Sequence, residues 1–176
     1  LSLLLVRDML IENAGASQAG LWQASARLSD MYTMIFTGVL SMYALPTLSA
    51  ARDDGEFRHV LRRLVLLCFC GMACGALSIY VLRDLIIKLA FTSEFAEVRS
   101  LLPWQLLGDV FLVTGWSMRS ALMVRDRKIA YVVIEAGIGI GLFCVTKMLL
   151  SSHGIIAANM AYAIVSAVIF AILLWL

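Results

Sequence analysis

Residues 21–48 read LWQASARLSDMYTMIFTGVLSMYALPTL. The stretch is long enough to cross a bilayer, yet it holds Arg27 and Asp30. Steps of three and four residues return to one helical face, so Gln23, Arg27, Asp30, Thr37 and Ser41 share a stripe that only Met34 interrupts. A charged side chain near the bilayer centre costs roughly 2.5–3.5 kcal/mol on insertion scales, so this stripe must face protein or water. Two readings follow. Arg27 and Asp30, three apart, neutralise each other near the helix start, or the stripe lines a polar cavity.

The surroundings make this a membrane helix and not a core helix of a water-soluble domain. The chain of 176 residues is 62% hydrophobic and 15% charged, with a mean hydropathy of +0.92. Soluble domains run near ~25% charged, and a spanning helix needs about 20 mostly apolar residues. The apolar runs are long and continuous, unlike the short alternating segments of membrane strands. The expected fold is an all-α, polytopic transmembrane bundle of about six helices. The spans are placed at 1–11 (partial), 21–48, 64–82, 101–124, 129–150 and 155–176.

The chain opens on Leu1, and LSLLLVRDMLI is too short to span; it ends on Trp175 and Leu176 inside an apolar run. Both ends read as cut from a larger, transporter-sized protein, and residues 1–11 lack the basic leader and cleavage site of a signal peptide. The net charge of +2 is spread among loops and gives no nucleic-acid footprint. Cys68, Cys70, Cys74 and Cys144 fit no metal pattern and read as packing residues; no metal and no cofactor is expected.

Beyond the opening helix, the polar segments 51–63 and 83–100 read as loops outside the membrane. Gly71 and Gly75, four apart on the span between them, read as a packing pair. The span 101–124 repeats the theme of the first: Trp104 and Gln105 stand where Trp22 and Gln23 do, and Asp109 follows Gln105 by one turn. Glu135 lies two turns into the next span, and Asn159 is the main polar side chain of the last. Counting Lys and Arg, segments 51–63 and 119–128 carry eight, including Arg119, against five on the opposite side, which makes the former cytoplasmic.

No catalytic constellation is visible, so no enzyme is expected. Intramembrane Arg27, Asp30, Asp109 and Glu135 are the kind of groups with which secondary transporters hold a charged substrate or couple a cation.

The segments GLWQASARLSDMY (20–32), SMYALPTLS (41–49), VLRDLIIKL (81–89) and LLPWQLLGDVF (101–111) resemble the bacterial polysaccharide-lipid flippases. That is the lipid III and O-antigen flippase family, within the multidrug/oligosaccharidyl-lipid/polysaccharide exporter superfamily. The resemblance runs over nearly the whole chain and is to the C-terminal half of such proteins. It implies two six-helix lobes around a central cavity, with this chain supplying helices seven to twelve and the N-terminal lobe missing. It also implies a multi-pass protein of the bacterial inner membrane. Such a protein moves undecaprenyl-diphosphate-linked oligosaccharide, the enterobacterial common antigen lipid III or an O-antigen unit, from the cytoplasmic to the periplasmic leaflet by alternating access. Its partners would be that glycan, membrane lipid, the other lobe, and polysaccharide polymerase and chain-length proteins.

On this resemblance Arg27, Gln23, Trp104 and Gln105 are candidates for the substrate cavity, with Arg27 toward the diphosphate. Asp30, Asp109 and Glu135 are candidates for gating or cation coupling. Two alternatives stand beside it. A multidrug exporter of the same superfamily would favour an acidic, aromatic pocket, against which Arg27 argues. A non-transporting scaffold for polysaccharide assembly would require Arg27 and Asp30 to be packed against neighbouring helices, with no open volume beside them.

Overall fold

The computed structural model describes residues 2–90 and 97–175. Within them the chain forms six α-helices and, among the described residues, no strand: α1 (Ser2–Ala14), α2 (Ala16–Ser49), α3 (Asp54–Ala90), α4 (Val98–Val124), α5 (Lys128–His153) and α6 (Ile156–Trp175). Four of them, α2, α3, α5 and α6, are long and apolar enough to cross a membrane. The chain is a multi-pass, all-helical membrane protein.

Connections are short. Gly15 alone separates α1 from α2, at φ 88° and ψ 161°, a conformation essentially reserved for glycine. Asp126, at φ 55°, turns the chain between α4 and α5, and Gly154, at φ 57°, turns it between α5 and α6.

The polar segment 51–63 is not the loop expected from its composition. From Asp54 onward it is the first turns of α3. A reciprocal cap accounts for this: the Glu56 backbone N–H donates to Asp53 Oδ1 at 2.7 Å, and Glu56 Oε2 accepts from the Arg52 N–H at 2.8 Å. That resembles a capping box, shifted so that Glu56 takes the N–H one residue before the capping Asp53, and acidic Asp54 and Glu56 sit favourably in the first turn. At 37 residues α3 extends roughly 55 Å, well beyond a hydrocarbon core of about 30 Å, so its polar turns project past the bilayer. The second expected loop, 83–100, is likewise helical through Ala90 and again from Val98; its residues 91–96 lie outside the described residues.

The helix around which the others gather is α4, although the charged stripe of α2 pointed to that helix. It packs against α2, α3, α5 and α6, and it is buried along most of its length, including Gln105, Asp109, Thr114, Ser117 and Arg119. In a bilayer the surrounding lipid is as apolar as a leucine core, so a helix that carries Gln105, Asp109 and Arg119 gains by being enclosed in protein. Around it, α1 packs on α2 and α5, α5 on α6, and α3 on α4 with a lighter contact to α2. The ring of Phe36 on α2 lies on Gly71 and Gly75 of α3, the pair read as packing residues.

Arg119, counted above among cytoplasmic loop charges, is instead inside α4 and nearly fully buried.

Candidate functional site

The first half of α2 carries Trp22, Gln23, Arg27 and Asp30 to the edge of a groove of about 670 Å³, whose other walls come from α1, α4, α5 and α6. Arg7 and Leu3 enter from α1, Gln105 and Leu112 from α4, and Ala158 and Tyr162 from α6. Of the residues singled out in the sequence, Gln23, Arg27, Asp30 and Gln105 are brought together here. Both Arg27 and Asp30 are exposed. Among the described residues neither joins an ion pair, so the internal neutralisation open on spacing alone does not occur. Arg7 is also exposed, so two guanidinium groups and one carboxylate share the groove. Arg7 escaped the sequence reading because it lies on the short first helix, where it looked like the end of an apolar run.

Beneath the groove lies a connected polar layer. Asp109 is fully buried on α4 and accepts the Tyr32 hydroxyl from α2 at 2.7 Å and the Tyr162 hydroxyl from α6 at 2.9 Å. Gln105, one turn before it, approaches the same carboxylate through Nε2 at 3.4 Å. Asn159 on α6 donates through Nδ2 to Gln105 Oε1 at 2.8 Å and to Ser25 Oγ on α2 at 3.1 Å. Ser25 in turn donates to the Trp22 carbonyl at 2.7 Å. Every link between these groups is interhelical except Gln105 to Asp109 and Ser25 to Trp22, so the layer joins α2, α4 and α6. One acceptor, Asn159 Oδ1, is buried with no partner among the described residues.

Gly108 makes this layer possible. A methyl group there would overlap the Tyr162 ring, so only glycine lets α6 bring the phenol to Asp109. Tyr162 is thus shared: its ring lines the groove, and its hydroxyl is held from below.

The remaining two candidates lie elsewhere. Trp104 does not line the groove and is 37% exposed. Glu135 on α5 meets Arg119 of α4, Oε1 to Nε at 2.8 Å, with side-chain exposures of 41% and 5%. The contact is an ion pair at close range without hydrogen-bond alignment, since Nε makes no hydrogen bond. Further along α2 the polar stripe is satisfied by its own helix: Thr33, Thr37 and Ser41 donate to the carbonyls of Ser29, Thr33 and Thr37. Of the stripe, Gln23, Arg27 and Asp30 line the groove.

Comparison with known proteins gives this geometry a family. A family model described as "Polysaccharide biosynthesis protein" matches residues 7–100, just over half of the chain. The Lipid III flippase of Escherichia coli (strain K12) and the Lipid III flippase of Shigella flexneri are each 26% identical over 177 residues, covering 98% of this chain and 42% of their own length. The chain therefore spans less than half the length of these curated relatives. No solved structure matches it. Because the match covers more than half of the chain, from the second half of α1 through α2 and α3, and with it Arg7, Arg27 and Asp30 of the groove, the chain belongs to the family of polysaccharide biosynthesis proteins.

Proposed function

We propose that the chain forms one wall of the path by which a flippase of the bacterial inner membrane carries a lipid-linked oligosaccharide from the cytoplasmic to the periplasmic leaflet. The observation that carries this reading is the groove itself: Arg7, Arg27, Asp30, Gln23 and Gln105 line an open volume at the depth of membrane-spanning helices. A scaffold would bury these groups against neighbouring helices, whereas Arg27 and Asp30 are exposed. An exporter of organic cations would gain nothing from two guanidinium groups there. A polyisoprenyl-diphosphate glycan suits both features, because guanidinium forks pair with phosphate oxygens and amides hydrogen-bond sugar hydroxyls. The names of the relatives support lipid III as the cargo, with an O-antigen unit as the related alternative.

Roles follow from position. Arg27 and Arg7 hold the diphosphate, and Gln23 and Gln105 contact the glycan. Asp30 balances part of the positive charge and is placed to exchange partners when the opposing lobe closes. Asp109 lies behind the lining and acts through Tyr162. Trp104 is the weakest of the cavity candidates, because it does not line the groove.

The test is complementation by the full-length protein in cells lacking the endogenous flippase, with Arg27→Ala and Arg7→Ala introduced singly and membrane levels checked by blot. A lost charged hydrogen bond to phosphate costs roughly 1.5–3 kcal/mol, so each variant is expected to lower flipping about tenfold or more while lipid-linked precursor accumulates. Normal surface polysaccharide from both variants at normal protein levels would sink the proposal.

A further inference from the structure

At the opposite end of the bundle from the groove is a second built cavity, of about 560 Å³, between the start of α3, the end of α4 and the end of α6. Its rim carries Arg58, Arg125 and Arg127; its wall is apolar, with Leu61, Met118 and Leu173 among the lining residues. We propose that this cavity binds the headgroup of an anionic phospholipid, phosphate at the arginines and acyl chain along the apolar wall.

The turn between α4 and α5 explains how the arginines converge. Asp126 takes the left-handed conformation at φ 55°, which lets Arg125 and Arg127 on either side of it both reach the cavity. Arg125 is held in place, its Nη2 2.7 Å from Asp54 Oδ1 and its guanidinium 4.1 Å above the Phe57 ring. The carboxylate of Asp126 is taken by Lys128 at 2.9 Å. Among the described residues Arg58 and Arg127 join no ion pair. The cavity therefore holds one matched pair and two uncompensated positive charges, a surplus that calls for an anion.

Two observations select a lipid over a free anion. The lining that adjoins the arginines is apolar, with Leu61, Met118, Leu122 and Leu173, and a soluble phosphate would have nothing to contact there. Basic residues grouped on the cytoplasmic side are the common way membrane proteins hold anionic headgroups, and with Arg119 removed from the eight this end still carries seven Lys and Arg against five. The inference does not depend on what passes through the groove.

The experiment reconstitutes the chain in nanodiscs of equimolar phosphatidylcholine and phosphatidylglycerol, extracts it gently, and measures the retained lipids by native mass spectrometry. The result expected is enrichment of phosphatidylglycerol that falls about fivefold with Arg58→Gln, about fivefold with Arg127→Gln, and to the bulk ratio in the double variant. Both arginines are exposed at the surface, so circular dichroism and elution volume are expected to be unchanged. Arg63→Gln, on another face of α3 and outside the cavity, leaves the enrichment intact. Equal retention of the two lipids would overturn the proposal, as would enrichment that survives the double variant or falls equally with Arg63→Gln. Displacement of the lipid by millimolar inorganic phosphate would also overturn it, since that marks a site for soluble anions.

Discussion

At the residue scale the structure turns on one carboxylate. Asp109 accepts from three donors on three helices and has no exposed surface, so it is the point at which α2, α4 and α6 are tied together. Tyr162→Phe removes one interhelical bond, which in membrane proteins is worth about 0.6 kcal/mol and at most about 1.7. Asp109→Ala strands two hydroxyls and an amide at once, so a loss upwards of about 3 kcal/mol is expected. Thermal unfolding of the variants in detergent decides between them: equal losses for Tyr162→Phe and Asp109→Ala would mean that the carboxylate is not the hub. Half of this cluster was legible in the sequence. Gln105 and Asp109 stand one turn apart, and a polar pair at that spacing in an apolar run announces itself. Tyr32 and Tyr162 lie 77 and 53 residues from Asp109, and no periodicity reports a distance of that kind. Tyrosine in a membrane helix also reads first as an interface residue, which hides its use as a buried donor.

At the scale of elements two features invite measurement. Gly15 is the whole connection between α1 and α2, in a backbone conformation that costs a residue with a side chain about 1–3 kcal/mol. Gly15→Ala is therefore expected to destabilise α1 by that amount, seen as faster proteolysis near residues 14–16 with α4 to α6 unaffected; unchanged proteolysis would show that the turn has another solution. Between α4 and α5, the pair of Arg119 and Glu135 asks for a double-mutant cycle. Arg119 is nearly buried, so Glu135→Leu leaves an unmatched charge, whereas Arg119→Leu with Glu135→Leu removes both and is expected to recover most of the lost stability. Additive losses in the cycle would show that the two do not act as a pair. Glu135 is a gating or coupling candidate on sequence alone; its contact with Arg119 gives it a partner that a spacing of 16 residues does not suggest. By contrast, the start of α3 was readable and was misread. Asp53 followed three residues later by Glu56, just before an apolar run, is a helix-start signal, and the polarity of 51–63 obscured it.

At the scale of the whole molecule, the helical count and the membrane character followed from hydropathy, while the choice of the central helix did not. Lipid and protein interior are equally apolar, so hydrophobicity does not distinguish an enclosed helix from one that faces acyl chains; α4 is marked as the enclosed one by the partners that Gln105, Asp109 and Arg119 find on other helices, which α2's Arg27 and Asp30 lack. The orientation of the bundle remains the quantity on which both proposed sites depend, because it decides which leaflet the groove faces and which the arginine cavity faces. It is testable on α5, whose 26 residues rise about 39 Å and carry exposed residues at both ends. In a background with Cys68, Cys70, Cys74 and Cys144 replaced by alanine, Lys128→Cys and Ser152→Cys place one thiol at each end of this helix. With segment 119–128 in the cytoplasm, a membrane-impermeant maleimide added to intact spheroplasts is expected to label Ser152→Cys and to reach Lys128→Cys only after lysis. The reverse pattern would invert the molecule, putting the groove on the cytoplasmic side and the arginine cavity on the periplasmic side. Labelling of both without lysis would mean that α5 does not cross the membrane, and the arrangement of α5 and α6 as adjacent antiparallel spans would fall with it.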